Sequence, residues 1–369
     1  MVKIQPNRLD RIFEMNSHEY EEAVLRVLRS GWYILGNEVS AFEEEFASYI
    51  DQTHCVGLAN GLDALWIAIR LLEIGEGDEV IIQSNAYIAC VMAITMNRAT
   101  PIFVEPNEYH NIDVNKIEAL ITPKTKAIMP IHLYGQASDM EALMSIARRY
   151  NLYVIEDCAQ SHGAKQNGKM TGTFGDVGCF SFYPSKNLGA FGDAGAITTN
   201  NKKLAEAFRV FRNYGSEKRY YNKVVGTNSR LDEMQAALLR VKLKQLNQLN
   251  NERLELCNNY LNSIKNEYIF LPKTQPNCES VWHQFVVQTE NRDDFIDYLN
   301  VNGIGSVIHY PIPPHLAEAY AYLGYKKGAF PIAEKYADTV ISLPLYNGMT
   351  IDEQDYVITT INRYAPRQK

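Results

Sequence analysis

The sequence lacks several features that mark particular classes of protein. Its 6 cysteines form no Cys-x-x-Cys pair and show no repeated spacing, and several lie within apolar runs. This pattern indicates reduced core residues and argues against a disulfide framework or a metal site. No apolar run approaches the ~20 residues of a membrane span, and the N-terminus lacks the apolar segment of a secretory signal. We therefore expect a cytoplasmic protein without a membrane partner.

The sequence also lacks an excess of positive charge. The chain carries 36 Lys and Arg against 43 Asp and Glu, for a formal net charge of -7, and its basic residues are dispersed. This distribution argues against a nucleic-acid partner. No Gly-x-Gly-x-x-Gly motif follows an early strand pattern, so a nucleotide-sugar oxidoreductase with a dinucleotide site is unsupported. The 369 residues suffice for one large domain and a smaller one.

Most of the chain alternates between strand-like and helix-like patterns. A helix is predicted from residue 17 to 29, with a capping box between Asn16 and Glu19, and a second helix follows Gly36. From residue 54 onward, helices separate unalternating apolar runs at 55–59, 80–82, 101–104, 127–131, 152–155 and 177–183. Such runs predict a mainly parallel sheet covered on both faces, with ligands at the carboxyl ends of its strands.

The C-terminal third predicts a smaller α/β unit. A long helical pattern covers residues 231–249, and we place the domain boundary near its end. The predicted domains are therefore 1–249 and 250–369. The second is expected to hold strands at 285–287 and 306–308, a helix at 294–302 and a closing helix at 356–364.

Lys186 stands at a turn that could present a reactive amine. The strand pattern of residues 177–183 stops at Pro184, which cannot continue a ladder, and a glycine-rich segment, 189–195, follows. Desolvation at the end of a buried strand would lower the pKa of the lysine and make its amine nucleophilic. On this segment alone, a solvent-exposed lysine without a chemical role is an equally good interpretation.

Pyridoxal 5'-phosphate (PLP) needs a lysine for a Schiff base, an anion beside its pyridine nitrogen and a site for its phosphate. Lys186 and Asp157, at the end of a predicted strand, fit the first two needs. The helix start at residues 60–62 offers free N–H groups for a phosphate, and Ser181 could add a hydroxyl. Tyr87 could cover one ring face. Each residue alone has a commoner structural explanation, but their shared place at strand ends favours PLP.

Four segments resemble motifs of the DegT/DnrJ/EryC1/StrS family of PLP-dependent sugar aminotransferases. They are E-D-C-A-Q-S-H-G at 156–163, S-F-Y-P-S-K-N-L-G at 181–189, G-T-N-S-R-L at 226–231 followed by Q-A-A at 235–237, and H-Y-P at 309–311 followed by P-H at 314–315. The resemblance covers nearly the whole chain in the family's order. It implies a fold-type I, aspartate-aminotransferase-like α/β architecture, with a large domain built on a mainly parallel sheet and a smaller C-terminal α/β domain.

The resemblance also implies roles for individual residues. Gln160 is expected beside the cofactor ring, near its hydroxyl, and Ser181 is expected to bind the phosphate. Asn228 is expected to reach the phosphate of a neighbouring subunit, which would make the protein a homodimer with shared active sites. His309 and Tyr310 are expected to face the sugar.

One segment departs from the family pattern. Many members have Ser-Gly-Thr where this chain has Asn60, Gly61 and Leu62. Because the threonine hydroxyl is lost, we expect the phosphate to be held by the backbone N–H groups of Gly61 and Leu62, or by Asn60. Asp63 would repel a phosphate unless its carboxylate points away.

The implied reaction is a transamination in two halves. L-Glutamate leaves its amino group on the cofactor as pyridoxamine phosphate (PMP), and a nucleotide-linked keto-sugar then accepts it. Lys186 is the expected acid and base, and Asp157 the expected partner of the pyridine nitrogen. A pyridoxamine-dependent dehydratase would have His in place of Lys186. A non-enzymatic regulator with this fold is the alternative from another class.

The acceptor is expected to be a dTDP-linked sugar. Arg219 and Lys223 lie in a basic loop that could contact a diphosphate, although a solvated loop explains either residue equally well. Tyr33 and Tyr221 could pack on the base or the sugar. Residues 60–65 and Tyr183 resemble the subset of the family that acts on dTDP-3-keto-6-deoxyhexoses, giving a dTDP-3-amino-3,6-dideoxyhexose for a surface glycan or a secondary metabolite. The alternative is a C4 aminotransferase acting on a 4-keto-sugar.

Overall fold

The computed structural model describes residues 3–367 as an α/β protein. Its helices are α1 (Leu9–Met15), α2 (Ser17–Ser30), α3 (Asn37–Tyr49), α4 (Gly61–Leu71), α5 (Ile88–Met96), α6 (Met140–Tyr150), α7 (Lys202–Phe211), α8 (Glu233–Leu243), α9 (Leu246–Ser263), α10 (Arg292–Val301), α11 (Pro331–Thr339) and α12 (Ile351–Asn362). Within residues 3–367, no helix is both long and apolar enough to cross a bilayer.

The strands are short. They are β1 (His54–Leu58), β2 (Glu79–Gln83), β3 (Thr100–Val104), β4 (Thr125–Met129), β5 (Tyr153–Asp157), β6 (Lys165–Gln166), β7 (Lys169–Met170), β8 (Val177–Ser181), β9 (Gly195–Thr199), β10 (Ser216–Lys218), β11 (Tyr221–Asn222), β12 (Cys278–Glu279), β13 (Phe285–Gln288) and β14 (Val340–Leu343).

A sheet of 7 strands forms the centre, in the order β1-β9-β8-β5-β4-β2-β3. The neighbours from β8 to β3 pair in parallel, as the unalternating apolar runs predicted. Strand β9 is the exception, because it pairs antiparallel with both β1 and β8. Strands β1 and β8 therefore run in the same direction, and their carboxyl ends lie on the same edge of the sheet.

Both faces of this sheet are buried by helices. Val80 and Ile82 belong to an apolar cluster that includes residues of α4, α5 and α7. Ile81 belongs to a second cluster with residues of α6. Because successive side chains of a strand point to opposite faces, these clusters lie on opposite sides of the sheet. On the α6 side, Phe180 joins a third cluster with residues of α3 and α8.

A separate apolar cluster forms the C-terminal part. It contains residues of α9, β13, α10, β14 and α12, and it includes Ile4 from the N-terminal segment. Ile4 also forms a parallel bridge with Ile304. Helix α9 runs across the expected boundary between residues 249 and 250, so the division into domains at that point stays a prediction.

Three local predictions were wrong. The helical pattern of residues 231–249 is divided between α8 and α9, with neither Pro nor Gly at the break. Residues 306–308 are not a strand, because only Val307 pairs, in an isolated bridge to Ser342. The capping box at α2 is not formed, since the Asn16 side chain makes no cap bond and its amide instead donates to Gln245 Oε1 at 2.7 Å.

Candidate active site

Gly61 and Gly195 are tightly packed at the edge of the sheet where β1 and β8 both have their carboxyl ends. Gly195 of β9 lies between Leu58 and Ser181 in the pairing register. A Cβ atom on Gly61 would lie 2.5 Å from the Ser181 Cβ, and one on Gly195 would lie 2.4 Å from the Asn60 carbonyl oxygen. No side chain fits at either glycine, so the start of α4 is held against Ser181.

The start of α4 has the properties of a phosphate site. Asn60 caps the helix, because its Oδ1 accepts a hydrogen bond from the Asp63 N–H at 2.8 Å. The first N–H groups of a helix have no partner within it, so those of Gly61 and Leu62 are available to an anion. Since the cap uses the Asn60 oxygen, the Gly61 and Leu62 backbone and the neighbouring Ser181 hydroxyl are the expected phosphate ligands.

The expected repulsion between Asp63 and a phosphate depends on where the Asp63 carboxylate points. One carboxylate oxygen accepts a hydrogen bond from Trp66 Nε1 at 2.9 Å, and the other accepts one from the Ser229 hydroxyl at 2.6 Å. The carboxylate is thus directed toward Trp66 and Ser229.

The Lys186 turn forms as the proline predicted. The Lys186 N–H donates to the Tyr183 carbonyl at 2.8 Å, which closes the turn after β8. The residue keeps some solvent exposure, yet desolvation lowers the pKa of its amine from 10.5 to about 8, against the opposing attraction of Asp157. The amine is therefore partly neutral near physiological pH, as a nucleophile needs to be.

Asp157 ends β5 and is only 4% exposed. Its Oδ1 accepts the Ala159 N–H at 3.0 Å, and its Oδ2 accepts a hydrogen bond from the Cys90 thiol at 2.8 Å. Burial raises the pKa of Cys90 well above its ordinary value, so the thiol keeps its proton and acts as a donor. Cys90 was missed in the sequence, where it was assigned only to the core.

A hydrogen-bonded chain joins Gln160 to the C-terminal part. Gln160 Oε1 accepts the Tyr134 N–H at 2.7 Å, and its Nε2 donates to the Tyr310 hydroxyl at 3.2 Å. The Tyr134 hydroxyl donates in turn to the His309 carbonyl. The rings of Tyr87 and Tyr310 lie 4.9 Å apart. The structure therefore brings together Tyr87, Gln160, His309 and Tyr310, and it adds Tyr134, which no motif indicated.

His309 is a neutral side chain at physiological pH. Burial and the nearby charge of Lys186 lower its pKa from 6.5 to about 4. Its Nδ1 lies 2.7 Å from the Ser342 hydroxyl, which fixes the ring. A neutral imidazole can donate from one ring nitrogen and accept at the other without adding a charge to the site.

Asn187, beside the lysine, ties the turn to the C-terminal part. Its Nδ2 donates to Asn250 Oδ1 and to the Val281 carbonyl, both at 2.8 Å, and its Oδ1 lies 3.1 Å from His283 Nδ1. This network of buried polar groups holds the backbone next to Lys186. It too was absent from the sequence-based candidates.

Other predicted residues lie on the surface of the single chain. Arg219 and Tyr221 belong to the exposed hairpin of β10 and β11, where Tyr221 is 65% exposed. Lys223 forms an ion pair with Glu217. Asn228 is exposed just after this hairpin. Their described contacts do not join them to the lysine turn of their own chain.

Tyr33 and Tyr183 are also exposed, at 50% and 54%. The Tyr33 hydroxyl donates to the Leu28 carbonyl at 3.3 Å, so it lies against α2. Tyr183 lies on the lysine turn itself, which places it next to the candidate site. The roles of both in substrate binding stay predictions.

One buried cluster has the composition of a metal site. Ligand atoms of His132, Glu156 and Cys158 lie within 4.8 Å of one another. However, Glu156 already accepts hydrogen bonds from His132 Nε2 at 3.0 Å and from the N–H groups of residues 172, 174 and 175. These bonds explain the cluster as a structural network beneath the end of β5.

The site fits PLP in its three requirements. Lys186 offers an amine of lowered pKa, Asp157 offers a buried carboxylate, and the helix start at Gly61 forms a cradle that a single added Cβ would fill.

Comparison with protein families gives a match to the DegT/DnrJ/EryC1/StrS aminotransferase family over residues 14–362. The chain belongs to this family. It is accordingly a PLP-dependent aminotransferase of fold-type I architecture, as the four motifs predicted.

Individual relatives are similar over nearly their whole length. The chain is 53% identical over 348 residues to the dTDP-3-amino-3,6-dideoxy-alpha-D-galactopyranose transaminase of Aneurinibacillus thermoaerophilus, covering 94% of this chain and 95% of that one. It is 45% identical over 361 residues to the dTDP-3-amino-3,4,6-trideoxy-alpha-D-glucose transaminase of Streptomyces venezuelae, covering 97% and 95%.

Solved structures of family members superpose closely. The chain matches S. venezuelae DesV, crystallised with a ketimine intermediate, at a TM-score of 0.97 and 44% identity over 100% of both chains. It matches NtdA of Bacillus subtilis, solved with bound PMP, at a TM-score of 0.89 and 34% identity over 96% and 83% of the two chains.

Proposed function

We propose that this aminotransferase moves the amino group of L-glutamate to C3 of a dTDP-3-keto-6-deoxyhexose, giving a dTDP-3-amino-3,6-dideoxyhexose. The observation that carries the reaction type is the convergence of Lys186, Asp157 and the Gly61 cradle at one edge of the sheet. The sugar is supported by the relative at 53% identity, whose name specifies that class of product.

The chemistry follows from the side chains. PLP, when bound, supplies an electron sink for the carbanion formed at the reacting carbon. The Lys186 amine, with a pKa of about 8, can exchange its proton near neutral pH, so it acts as both base and acid. The buried Asp157 carboxylate would accept a hydrogen bond from the protonated pyridine nitrogen and keep that nitrogen charged. Cys90 and the Ala159 N–H fix the orientation of that carboxylate.

The sugar is expected on the side of His309 and Tyr310. Tyr310 is held by Gln160, and the His309 ring is held by Ser342, so both present defined polar groups. Tyr183 extends from the lysine turn with 54% of its surface exposed and can contact the same ligand. We infer that these residues recognise the sugar hydroxyls.

We infer further that the active enzyme is a homodimer with shared sites. The segment that carries Arg219, Tyr221 and Lys223 exposes an apolar surface, with Val225 94% exposed. A surface of this kind is commonly covered by a partner. A second copy of the chain would bring Asn228 and the basic residues of this segment to the phosphate and the diphosphate of the opposite site.

The acceptor can be tested directly. The purified protein is incubated with L-glutamate and, in turn, with dTDP-3-keto-6-deoxyhexoses of both C4 configurations and with dTDP-4-keto-6-deoxyglucose. The product is identified by NMR. We expect amination at C3. Amination of the 4-keto-sugar alone would establish the C4 alternative, and no turnover of any sugar by a protein that binds PLP would contradict the proposed substrate.

The shared site is tested by complementation. Lys186→Ala and Asn228→Asp homodimers are each expected to be inactive. Mixed and allowed to exchange, they should form heterodimers with one intact site and recover up to about a quarter of wild-type activity by random pairing. If both homodimers are inactive and subunit exchange is verified by mass, absence of recovery would refute the sharing of Asn228.

A further inference from the structure

A closed set of hydrogen bonds lies behind the phosphate-binding start of α4. Ser229 donates its hydroxyl proton to Asp63 Oδ2 at 2.6 Å, and the same hydroxyl oxygen accepts the Ala59 N–H at 3.1 Å. Asp63 Oδ1 accepts from Trp66 Nε1 at 2.9 Å, and the Asp63 N–H donates to Asn60 Oδ1 at 2.8 Å. Each oxygen of the Asp63 carboxylate thus has a donor.

The hydroxyl comes from a distant part of the chain. Ser229 is fully buried and follows the exposed Asn228 directly, and its N–H donates to the Arg212 carbonyl at 2.9 Å. The Ser229 side chain therefore joins two segments, the turn that cradles the phosphate and the loop that carries Asn228. Residues 59 and 229 are separated by almost half of the sequence.

The bond also restrains a negative charge. Asp63 is in the first turn of α4, the same turn whose N–H groups are the expected phosphate ligands. A carboxylate and a phosphate a few ångströms apart repel each other strongly in a partly buried site. Ser229 and Trp66 hold the carboxylate oxygens in place. Without the Ser229 donor, one oxygen is free to turn toward the available N–H groups of Gly61 and Leu62, which would put it in competition with the phosphate.

We propose that Asp63 and Ser229 are positioning residues, and that the Ser229 hydroxyl keeps the Asp63 carboxylate out of the cofactor phosphate site. The proposal rests on the proposed function, since it concerns affinity for PLP. The Asp63 carboxylate would then have two opposing effects. It links the helix start to the loop that carries Asn228, but it would repel the phosphate if Ser229 did not bind it.

The test compares PLP with pyridoxal, which lacks the phosphate. Cofactor-free protein is titrated with each compound, and binding is followed by the quenching of tryptophan fluorescence. Ser229→Ala is expected to weaken PLP binding about tenfold, the loss typical of a hydrogen bond to a charged group, while leaving pyridoxal binding within about twofold. Ser229→Thr keeps the hydroxyl, so it should bind PLP and pyridoxal in the wild-type ratio even if the added methyl weakens the binding of both. Ser263→Ala, which removes a hydroxyl bonded to Asn259 at the end of α9, is the matched control and should bind both compounds as the wild type does.

A second substitution shows whether the freed Asp63 charge, and not a general structural defect, weakens PLP binding. Adding Asp63→Asn to Ser229→Ala removes the freed charge, so the double variant should bind PLP more tightly than Ser229→Ala alone. An equal loss of affinity for PLP and pyridoxal in Ser229→Ala, or a double variant weaker than the single one, would overturn the proposal. If Ser229→Ala does not fold, Ser229→Cys, which replaces the hydroxyl with a weaker donor, serves instead, and an equal loss of affinity for PLP and pyridoxal there would also overturn the proposal. A wild-type protein that binds no PLP would instead refute the proposed function.

Discussion

The Cys90 thiol and the Asp157 carboxylate are in direct hydrogen-bond contact, with Sγ 2.8 Å from Oδ2. Cys90 lies one helical turn after Tyr87, and its N–H donates to the Tyr87 carbonyl at 3.1 Å. The same turn of helix therefore carries Tyr87, the predicted cover of the cofactor ring, and the thiol that donates to Asp157. The start of α5 thus joins two residues that the proposed function assigns to the cofactor site.

Removing this donor should loosen Asp157. Because a thiol is a weak donor, we expect Cys90→Ala to reduce PLP affinity and the rate of the glutamate half-reaction by about fivefold, and Cys90→Ser to preserve both. Titration with PLP and stopped-flow absorbance after mixing with glutamate measure the two effects. Cys278→Ala, at a partly exposed cysteine in β12, is the control. Wild-type values for Cys90→Ala would show that Asp157 is held without the thiol.

Lys186 is expected to be indispensable for turnover. Lys186→Ala removes the attachment point and the proton carrier, and loss of the second role alone should lower the rate by roughly 10²- to 10⁴-fold. The visible band of lysine-bound cofactor should also disappear, with PLP retained without a covalent bond. Lys244→Ala, an exposed lysine just after α8, should behave as wild type. Retained transamination in Lys186→Ala would mean that another lysine serves.

The lowered pKa of Lys186 predicts a pH dependence. Competitive labelling of cofactor-free protein with trace acetic anhydride, quantified by mass spectrometry, should give a midpoint near 8 for Lys186 instead of the ordinary 10.5. The folded state binds fewer protons than the unfolded state between these values, so the destabilising effect of burying this lysine is full below pH 8 and disappears as the pH rises to 10.5. A midpoint near 10.5 would show that the amine is not desolvated.

The contact between Gly61 and Ser181 predicts a severe effect of one methyl group. Gly61→Ala would place a Cβ 2.5 Å from the Ser181 Cβ, so either the helix start or β8 must move. Overpacking of this kind costs about 1–3 kcal/mol, and we expect a loss of PLP affinity of roughly tenfold to a hundredfold. Gly75→Ala is the matched control, because its nearest neighbour would be 3.6 Å away. Unchanged PLP binding by Gly61→Ala would place the phosphate elsewhere.

The central sheet could be predicted from the sequence because its strands are buried on both faces. The runs that became β2, β4 and β5 have no polar alternation, and that pattern depends only on neighbouring residues. The antiparallel direction of β9 could not be predicted, because the same apolar run can pair with its neighbours in either direction. The isolated bridge at Val307 was mistaken for a strand for a related reason, because three apolar-rich residues do not specify a partner.

The candidate site likewise contains some residues that local sequence pattern indicates and others that it does not. Lys186, Asp157 and Gly61 could be proposed as site residues from the sequence because each stands at a strand end or a helix start that local pattern indicates. Cys90 and Ser229 could not, because only their contacts with Asp157 and Asp63, which lie 67 and 166 positions away, make them candidates. A serine after an asparagine, or a cysteine in an apolar helix, carries no local sign of such a partner.

The antiparallel strand β9 has a consequence for the order in which the protein assembles during synthesis. In the central sheet, β1 has β9 as its neighbour, and β9 in turn is the neighbour of β8. The turn at Asn60 emerges early from the ribosome, but it has no sheet to join until residues 195–199 have been made. The proposed phosphate cradle is therefore completed late, and a nascent chain that ends before β9 should be unable to retain the cofactor.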